Sequence, residues 1–421
     1  MTLHIAVIGS GPAGCYLAEG LLRAAPGCRI DVIERLPTPF GLVRAGVAPD
    51  HQGTKAVSRV FERVLAREGV GFWGNVEIGR DVSLAELRHL YDAVVLATGA
   101  CEDKALGIPG EALAGVVGSG AFSGWYNGHP DHAASAPPLQ GVRSAILIGN
   151  GNVALDVARL LAKTPAELAA SDIDPAVEAA LAAMPLSEIH IVGRRGPAEA
   201  GFAAQELSEL GALARAAPRV DAADLPAAES APNPAIIRLL EGFAASRPER
   251  EVTIRFHFRA KPVAFSGTGR VAAALFRRQM PTATGYSDSD ETFTLPADLV
   301  IRCIGYRAAA CCALAPEDGV FANDRGRIAP GLYVVGWAKR GPSGTIATNR
   351  AEAHGVAQRL AAETSAAGRP GGAGLAKLLA GRGVRVVDHA HWQRIDAAER
   401  AAAPPGRPRR KLATRAAMLA C

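Results

Sequence analysis

The sequence predicts an α/β chain of two parallel-sheet domains, the second inserted into the first, and three observations carry that expectation. Residues 3–14 read LHIAVIGSGPAG and run into an apolar helical pattern over 15–22. Residues 144–159 read SAILIGNGNVALDVAR. Each is a strand, a glycine-rich turn and a helix, the opening of a Rossmann-like dinucleotide-binding domain. Third, apolar strands lie on both sides of the second unit, one at 92–100 that ends in small residues and one at 332–337, so the first domain is expected to resume after it. The expected bounds are 1–104 and 304–421 for the two parts of the first domain and 105–303 for the inserted one.

In the first turn, Gly9 permits the sharp bend, Gly11 lets the backbone approach a pyrophosphate, and Gly14 lets the helix pack close to its strand. The phosphates are expected on the helix N-terminus, where unpaired N–H groups and the helix dipole favour negative charge. Glu34 follows a second strand, 29–33, and stands 25 residues after Gly9 (34 − 9). Its carboxylate suits ribose hydroxyls and repels a 2′-phosphate. A glycine turn alone can be purely structural, but strand, helix and acid together predict a bound adenine dinucleotide. Pro37, Pro39, Gly41 and Gly46 then make 35–51 a rigid ordered loop. Its apolar residues need something flat to cover, a flavin ring being one candidate and the loop's own domain the other. His51 is read either as an ordinary histidine or as one donating a hydrogen bond beside a redox ring. A helix over 55–68, a short strand within 71–79 and the buried strand at 92–100 follow, and 101–138 reads as a loop-rich crossing with a turn signal at 127–131.

The second fingerprint has the form G-x-G-x-x-A, at Gly149, Gly151 and Ala154. The acid expected at the end of the next strand is missing. Instead the strand 188–193 runs into Arg194-Arg195-Gly196, and two guanidiniums there suit the 2′-phosphate of NADP, a solvated arginine pair being the alternative. The first site therefore prefers a free ribose and the second a phosphorylated one. Glu206 is expected on a helix within 201–210, and the Ala-, Pro- and charge-rich 212–250 predicts only a helix at 235–244. Strands are expected at 252–258, 271–279 and 299–304. The strand 332–337 stops at Trp337, and a glycine-rich turn runs into a helix over 345–363 whose N-terminus suits a flavin ring edge or its ribityl chain. A Gly/Pro linker, 368–374, precedes a short terminal helix and strand. The basic run 407–411 is either solvated or a contributor to docking.

Composition narrows the class. At 421 residues with 49% hydrophobic and 21% charged residues, two or three globular domains are expected. A net charge of +5 is too small to argue for nucleic acid and suits an acidic protein partner. Seven cysteines with no CxxC pair and no zinc spacing predict a reduced, cytoplasmic chain without a metal site, and the vicinal Cys311 and Cys312 read as packing residues. The first strand begins at residue 3, which leaves no room for a targeting peptide, and no apolar run approaches the roughly 20 residues of a membrane span.

With these residues laid out, the chain resembles adrenodoxin reductase and its bacterial ferredoxin:NADP reductase relatives over nearly its whole length. The matching segments are VIGSGPAG, PFGLVRAGVAPDH, GNVEIGRDV, GWYNG, GNGNVALDVAR, IVGRRGP and GWAKRGPSG. The resemblance implies FAD, held by Ala13, Glu34, Leu42, Ile78, Trp337 and the turn Gly344, Thr345 and Ile346, beside the glycines of the first fingerprint. It implies NADP, held by Asn150, Gly151, Asn152, Val153, Arg194, Arg195, Glu206 and Gly344. Departures are Asn150, where relatives often have Gln, Thr345, where Val is common, and a divergent 212–250 near part of the family's basic docking surface. The implied activity is that of a ferredoxin-NADP(+) reductase: a hydride passes from NADPH to FAD, and electrons then go singly to a small acidic iron–sulfur ferredoxin. The flavin supplies the chemistry and the protein the positioning, with His51 and Glu206 the candidates for side chains near the reacting atoms. A monomer acting on neither nucleic acid nor membrane is expected. Two other readings are a two-nucleotide flavoprotein with a disulfide or quinone acceptor, and a flavin- and NADP-binding sensor without turnover. The missing CxxC counts against the first acceptor, and the missing amphipathic membrane segment against the second.

Overall fold

The computed structural model describes residues 1–228, 231–246, 248–311 and 314–421. The chain forms two compact units, one made of 1–102, 127–133 and 306–421, the other of 103–126 and 134–305.

The first unit is built on a six-stranded sheet in the order Arg327–Ala329, Leu332–Val334, Ala93–Leu96, His4–Ile8, Arg29–Glu34, Val70–Gly74. Every pairing is parallel except that of Arg327–Ala329, at the edge. A parallel sheet covered on both faces needs apolar residues at both parities, and HIAVI supplies them. Ile5 and Val7 join the core under the helices Pro12–Ala24 and Ile346–Glu363, while Ala6 and Ile8 join the opposite core, with Leu84, Leu87, Leu375 and Leu379. The last two residues come from the helix Gly371–Gly381, which occupies most of what the sequence reads as a linker. Two further helices, His389–Ala401 and Arg415–Leu419, follow, and the expected terminal strand amounts to one bridge between Gly74 and Val387. The helix expected over 55–68 is two pieces, Gln52–Lys55 and Ser58–Leu65.

The second unit carries a six-stranded parallel sheet in the order Val116–Gly118, Leu299–Arg302, Ser144–Ile148, Glu188–Val192, Val252–His257, Ala216–Arg219. An antiparallel sheet of Ala260–Ser266, Ala273–Thr282 and Gly285–Pro296 packs beside it. The last of these strands, GYSDSDETFTLP, buries nothing fully and so lacks the apolar alternation by which a strand is read from sequence. The stretch read as a loop-rich crossing contains the helix Ser119–Tyr126.

Residues 127–133 lie in the first unit, although the sequence boundary puts them in the inserted domain. Ionic side chains hold them there: the Lys55 ammonium donates to Asn127 Oδ1 (2.9 Å), the Lys411 ammonium to the Asn127 carbonyl (3.1 Å), and Arg35 and Arg415 both pair with Asp131. No helix among the described residues is long and apolar enough to cross a membrane.

Candidate functional site

In the first unit the three fingerprint glycines have different reasons to be glycine. A Cβ on Gly9, which sits at φ +109°, would lie 2.4 Å from the Ala97 carbonyl oxygen, and one on Gly14 would lie 2.0 Å from the Gly9 carbonyl oxygen. Strand end and helix therefore meet at backbone contact. A Cβ on Gly11 meets nothing within 4 Å, so the space over its backbone is open to a group from outside. Pro12 begins the helix where a missing N–H costs no helical hydrogen bond.

Glu34 is buried and already oriented. Its Oε2 accepts from the Ser10 N–H (3.1 Å) and the Ser10 hydroxyl (2.7 Å), and Oε1 accepts from the Leu36 N–H (3.1 Å). A carboxylate has roughly four acceptor positions, so about one is left for a ribose hydroxyl. Phe40 and Gly41 bring the next loop across the turn. Phe40 adopts φ +81°, uncommon for a non-glycine residue, its N–H donates to the Ser10 carbonyl (3.1 Å), and a Cβ on Gly41 would lie 3.2 Å from Gly11 Cα. The Phe40 ring faces inward between Phe61 and Trp392, so it packs on its own unit, whereas Leu42 remains 43% exposed. Thr98, at the small-residue end of the strand Ala93–Leu96, has a buried hydroxyl oxygen without a hydrogen-bond partner among the described residues. A Cβ on Gly336 would lie 2.6 Å from the Ala13 Cβ, which brings the following turn against the fingerprint helix. There Trp337 stacks on Tyr306 (6.1 Å, 18°) and its indole N–H donates to the Ser343 carbonyl (3.2 Å). Gly344 and Thr345 are exposed at the start of the helix Ile346–Glu363, which Thr345 caps together with Thr348. Ile78 is half-buried and bridged to Val82, and His51 precedes the short helix Gln52–Lys55.

The second unit repeats the first turn in outline. A Cβ on Gly149 would lie 2.2 Å from the Cys303 carbonyl oxygen, and Gly151 is open. The Gly201 N–H donates to the Asn150 carbonyl and the Ala203 N–H to Asn152 Oδ1, both at 2.7 Å. Both polar atoms of the Asn150 side-chain amide are buried without a partner among the described residues, and the amide lies where a Cβ on Gly193 would be. Val153 is half-buried in the first helical turn. Arg194 and Arg195 are exposed. Glu206, on the helix Ala204–Gly211, faces Arg159: that fully buried guanidinium lies 2.8 Å from Asp156, 3.6 Å from Glu206 and 3.4 Å from Glu209. A buried cation needs such neighbours.

Orphaned polar atoms, at Thr98 in one unit and Asn150 in the other, fit a ligand over each fingerprint. Sequence reasoning did not single out Thr98 as a binding residue, although the small-residue strand end pointed to its position. Cysteine chemistry is not prepared: the six described cysteines are free, and burial pushes the thiols of Cys15 and Cys303 well above their ordinary range. Of the vicinal pair, Cys312 lies outside the described residues.

Two parallel sheets, each opening on a glycine fingerprint with an unsatisfied polar atom beside it, define a protein with two dinucleotide sites. Residues 3–196 match the pyridine nucleotide-disulphide oxidoreductase family. The mitochondrial NADPH:adrenodoxin oxidoreductase of Arabidopsis thaliana is 39% identical, covering 98% of this chain and 94% of the relative. NADPH-ferredoxin reductase FprA of Mycobacterium tuberculosis is 40% identical, covering 99% and 98%. The solved structure of that bacterial protein in complex with NADPH superposes with a TM-score of 0.94 at 39% identity, covering 100% of this chain and 99% of the other. This chain belongs to the family of NADPH:adrenodoxin and NADPH-ferredoxin reductases.

Proposed function

We propose that this chain is an FAD-dependent NADPH:ferredoxin oxidoreductase with FAD in the first unit and NADPH in the second. The observation that carries the assignment is the contrast of ribose selectors: a buried, oriented Glu34 after one fingerprint and two exposed guanidiniums, Arg194 and Arg195, after the other. The chemistry that bound FAD supplies is acceptance of a hydride from NADPH and release of single electrons to an iron–sulfur protein. The residues bind and orient. In the first unit Glu34 takes a ribose hydroxyl, the open backbone at Gly11 receives the pyrophosphate, and Thr98, Leu42, Ile78, Trp337 and the turn 344–346 line the rest of the cofactor. In the second, Asn150 to Val153 hold the pyrophosphate end of NADPH and the arginines its 2′-phosphate, with Glu206 fixed by Arg159. No nucleophile is required, which agrees with the inert buried thiols. His51 remains the side chain of the first unit proposed near the reacting atoms. The formal charge of +5 suits a small acidic iron–sulfur partner, and the free cysteines suit a reducing cytoplasm.

Stopped-flow mixing tests the reading. NADPH is expected to bleach the flavin rapidly and NADH hardly at all. Arg194→Ala with Arg195→Ala is expected to raise KM for NADPH about 10- to 100-fold, the loss of charge-assisted hydrogen bonds, with little effect on NADH. Equal bleaching by the two nucleotides in the unmodified protein would overturn the assignment of the arginines.

A further inference from the structure

The turn that carries Arg194 and Arg195 is held at its backbone, not through its guanidiniums. On one side the Gly193 N–H donates to the His257 carbonyl, the Arg259 N–H to the Arg195 carbonyl and the Ala260 N–H to the Gly193 carbonyl, all at 2.9 Å. At its far end the Tyr286 side chain reaches it. Tyr286 stands at the tip of the antiparallel hairpin, paired with Pro281, in a stretch whose neighbours from 281 to 285 and at 287 and 288 are exposed while Tyr286 is half-buried. Its hydroxyl accepts the Gly196 N–H (2.9 Å) and donates to Glu199 Oε2 (3.0 Å). Burial, the largest influence, raises the phenol above its ordinary pKa, so it keeps the proton it gives to Glu199 throughout the neutral range. No guanidinium of the turn has a hydrogen bond or ion pair among the described residues. The nearest carboxylate along the chain is that of Glu199, three residues beyond Gly196, and it is the one that Tyr286 engages.

We propose that Tyr286 is a positioning residue for selection of the 2′-phosphate: it pins the end of the arginine turn through Gly196 and holds the Glu199 carboxylate by Oε2 on its own hydroxyl, so that Arg194 and Arg195 stay open to an anion. The proposal rests on the reading that these arginines take the 2′-phosphate. A Glu199 released from Tyr286 would act against that anion twice, by swinging to pair with a guanidinium and by bringing its charge nearer the phosphate. The hairpin that presents Tyr286 is thus a specificity element attached to the nucleotide-binding sheet.

The test is equilibrium binding of two fragments, 2′-AMP and 5′-AMP, to the flavin-loaded protein by calorimetry. Unmodified protein is expected to prefer 2′-AMP, and the double arginine variant to lose that preference. Tyr286→Phe keeps the ring and removes both hydrogen bonds. It is expected to weaken 2′-AMP ~3- to 10-fold, the worth of one or two such bonds, and to leave 5′-AMP within twofold. Adding Glu199→Gln to Tyr286→Phe is expected to recover part of the loss. If the unmodified protein bound the two fragments alike, the arginine reading and the proposal would both fall. If the arginine variant lost selectivity but Tyr286→Phe kept it, the proposal alone would fall. A double variant no better than Tyr286→Phe would overturn the role given to Glu199.

Discussion

Gly11 differs from its two neighbours in the first fingerprint by what a methyl group would meet. At Gly14 an added Cβ would run into the backbone of Gly9, which cannot step aside without moving the strand end, whereas at Gly11 it would enter open space at φ −69°, a conformation that any residue adopts. The same substitution should therefore separate folding from binding. Gly14→Ala is expected to cost about 3 kcal/mol or more, beyond ordinary overpacking, seen as a shift in the denaturation midpoint. Gly11→Ala is expected to stay within about 0.5 kcal/mol of the parent, yet to purify with much less flavin absorbance near 450 nm, roughly the usual flavin band. A yellow, fully loaded Gly11→Ala protein would remove the pyrophosphate from this turn. Glu34 makes the complementary point. Its position was legible because an acid after the second strand is a spacing rule, but its hydrogen bonds to Ser10 depend on the third dimension, where the turn folds back over the strand end.

At the scale of elements, the fingerprints were legible because each packs a continuous apolar strand, a glycine turn and a helix into one stretch. The C-terminal arm was not, because its partners are distant in sequence. The basic run 407–411, read as solvated or docking, is engaged within the chain: Arg409 pairs with Asp396 (2.6 Å) and Glu399 (3.2 Å), and the Lys411 ammonium reaches Asn127. Glu399 is fully buried and also pairs with Arg44 in the loop that crosses the first fingerprint, while accepting the Leu412 N–H (2.9 Å). Burial alone would raise this carboxyl, but the arginines outweigh it and hold the pKa below the ordinary value. Glu399→Gln removes the counter-charge of the half-buried Arg44 and one of the two carboxylates that pair with Arg409, a loss of up to about 3–5 kcal/mol. The expected result is a lower melting temperature for the first unit and faster proteolytic cleavage beyond residue 402. A variant as protease-resistant as the parent would show that apolar packing of Met418, not the ionic contacts, holds the arm. Likewise Gly285–Pro296 escaped the sequence because its stability comes from pairing with Ala273–Thr282, and Tyr286 is legible as a contact only once that hairpin is drawn.

At the scale of the whole molecule, each unit contains a histidine whose burial resists protonation. His129, in the first unit, is pushed down to about 4 by burial, with Arg35 adding to the effect and Asp131 opposing it. Its Nδ1 accepts the Asp131 N–H (3.1 Å) and so cannot also carry a proton. His257, in the second, is pushed down to about 4 by burial and then by His190, whose Nδ1 lies 3.0 Å from its Nε2, so that two protonated rings would face each other donor to donor. Both shifts have the same sign. The folded pKa lies below the unfolded value near 6.5, so their contribution is complete above about pH 6.5 and is withdrawn as the pH falls toward 4, because the unfolded chain takes up the proton first. Each histidine can withdraw at most about 3 kcal/mol from its own unit over that window. Below it Asp131 continues the loss: burial would raise its carboxyl, but Arg35 and Arg415 prevail and hold it at about 2, so its contribution disappears between roughly pH 4 and pH 2. Calorimetric melts at half-unit steps from pH 7.5 to 4.5 are therefore expected to show a falling melting temperature in both units. His257→Gln, which keeps a hydrogen-bonding group but cannot charge, should flatten the dependence of the second unit and leave that of the first unchanged. Equal flattening of both would mean that the two units unfold as one cooperative body, since a proton avoided in one could then stabilise the other only through a shared transition.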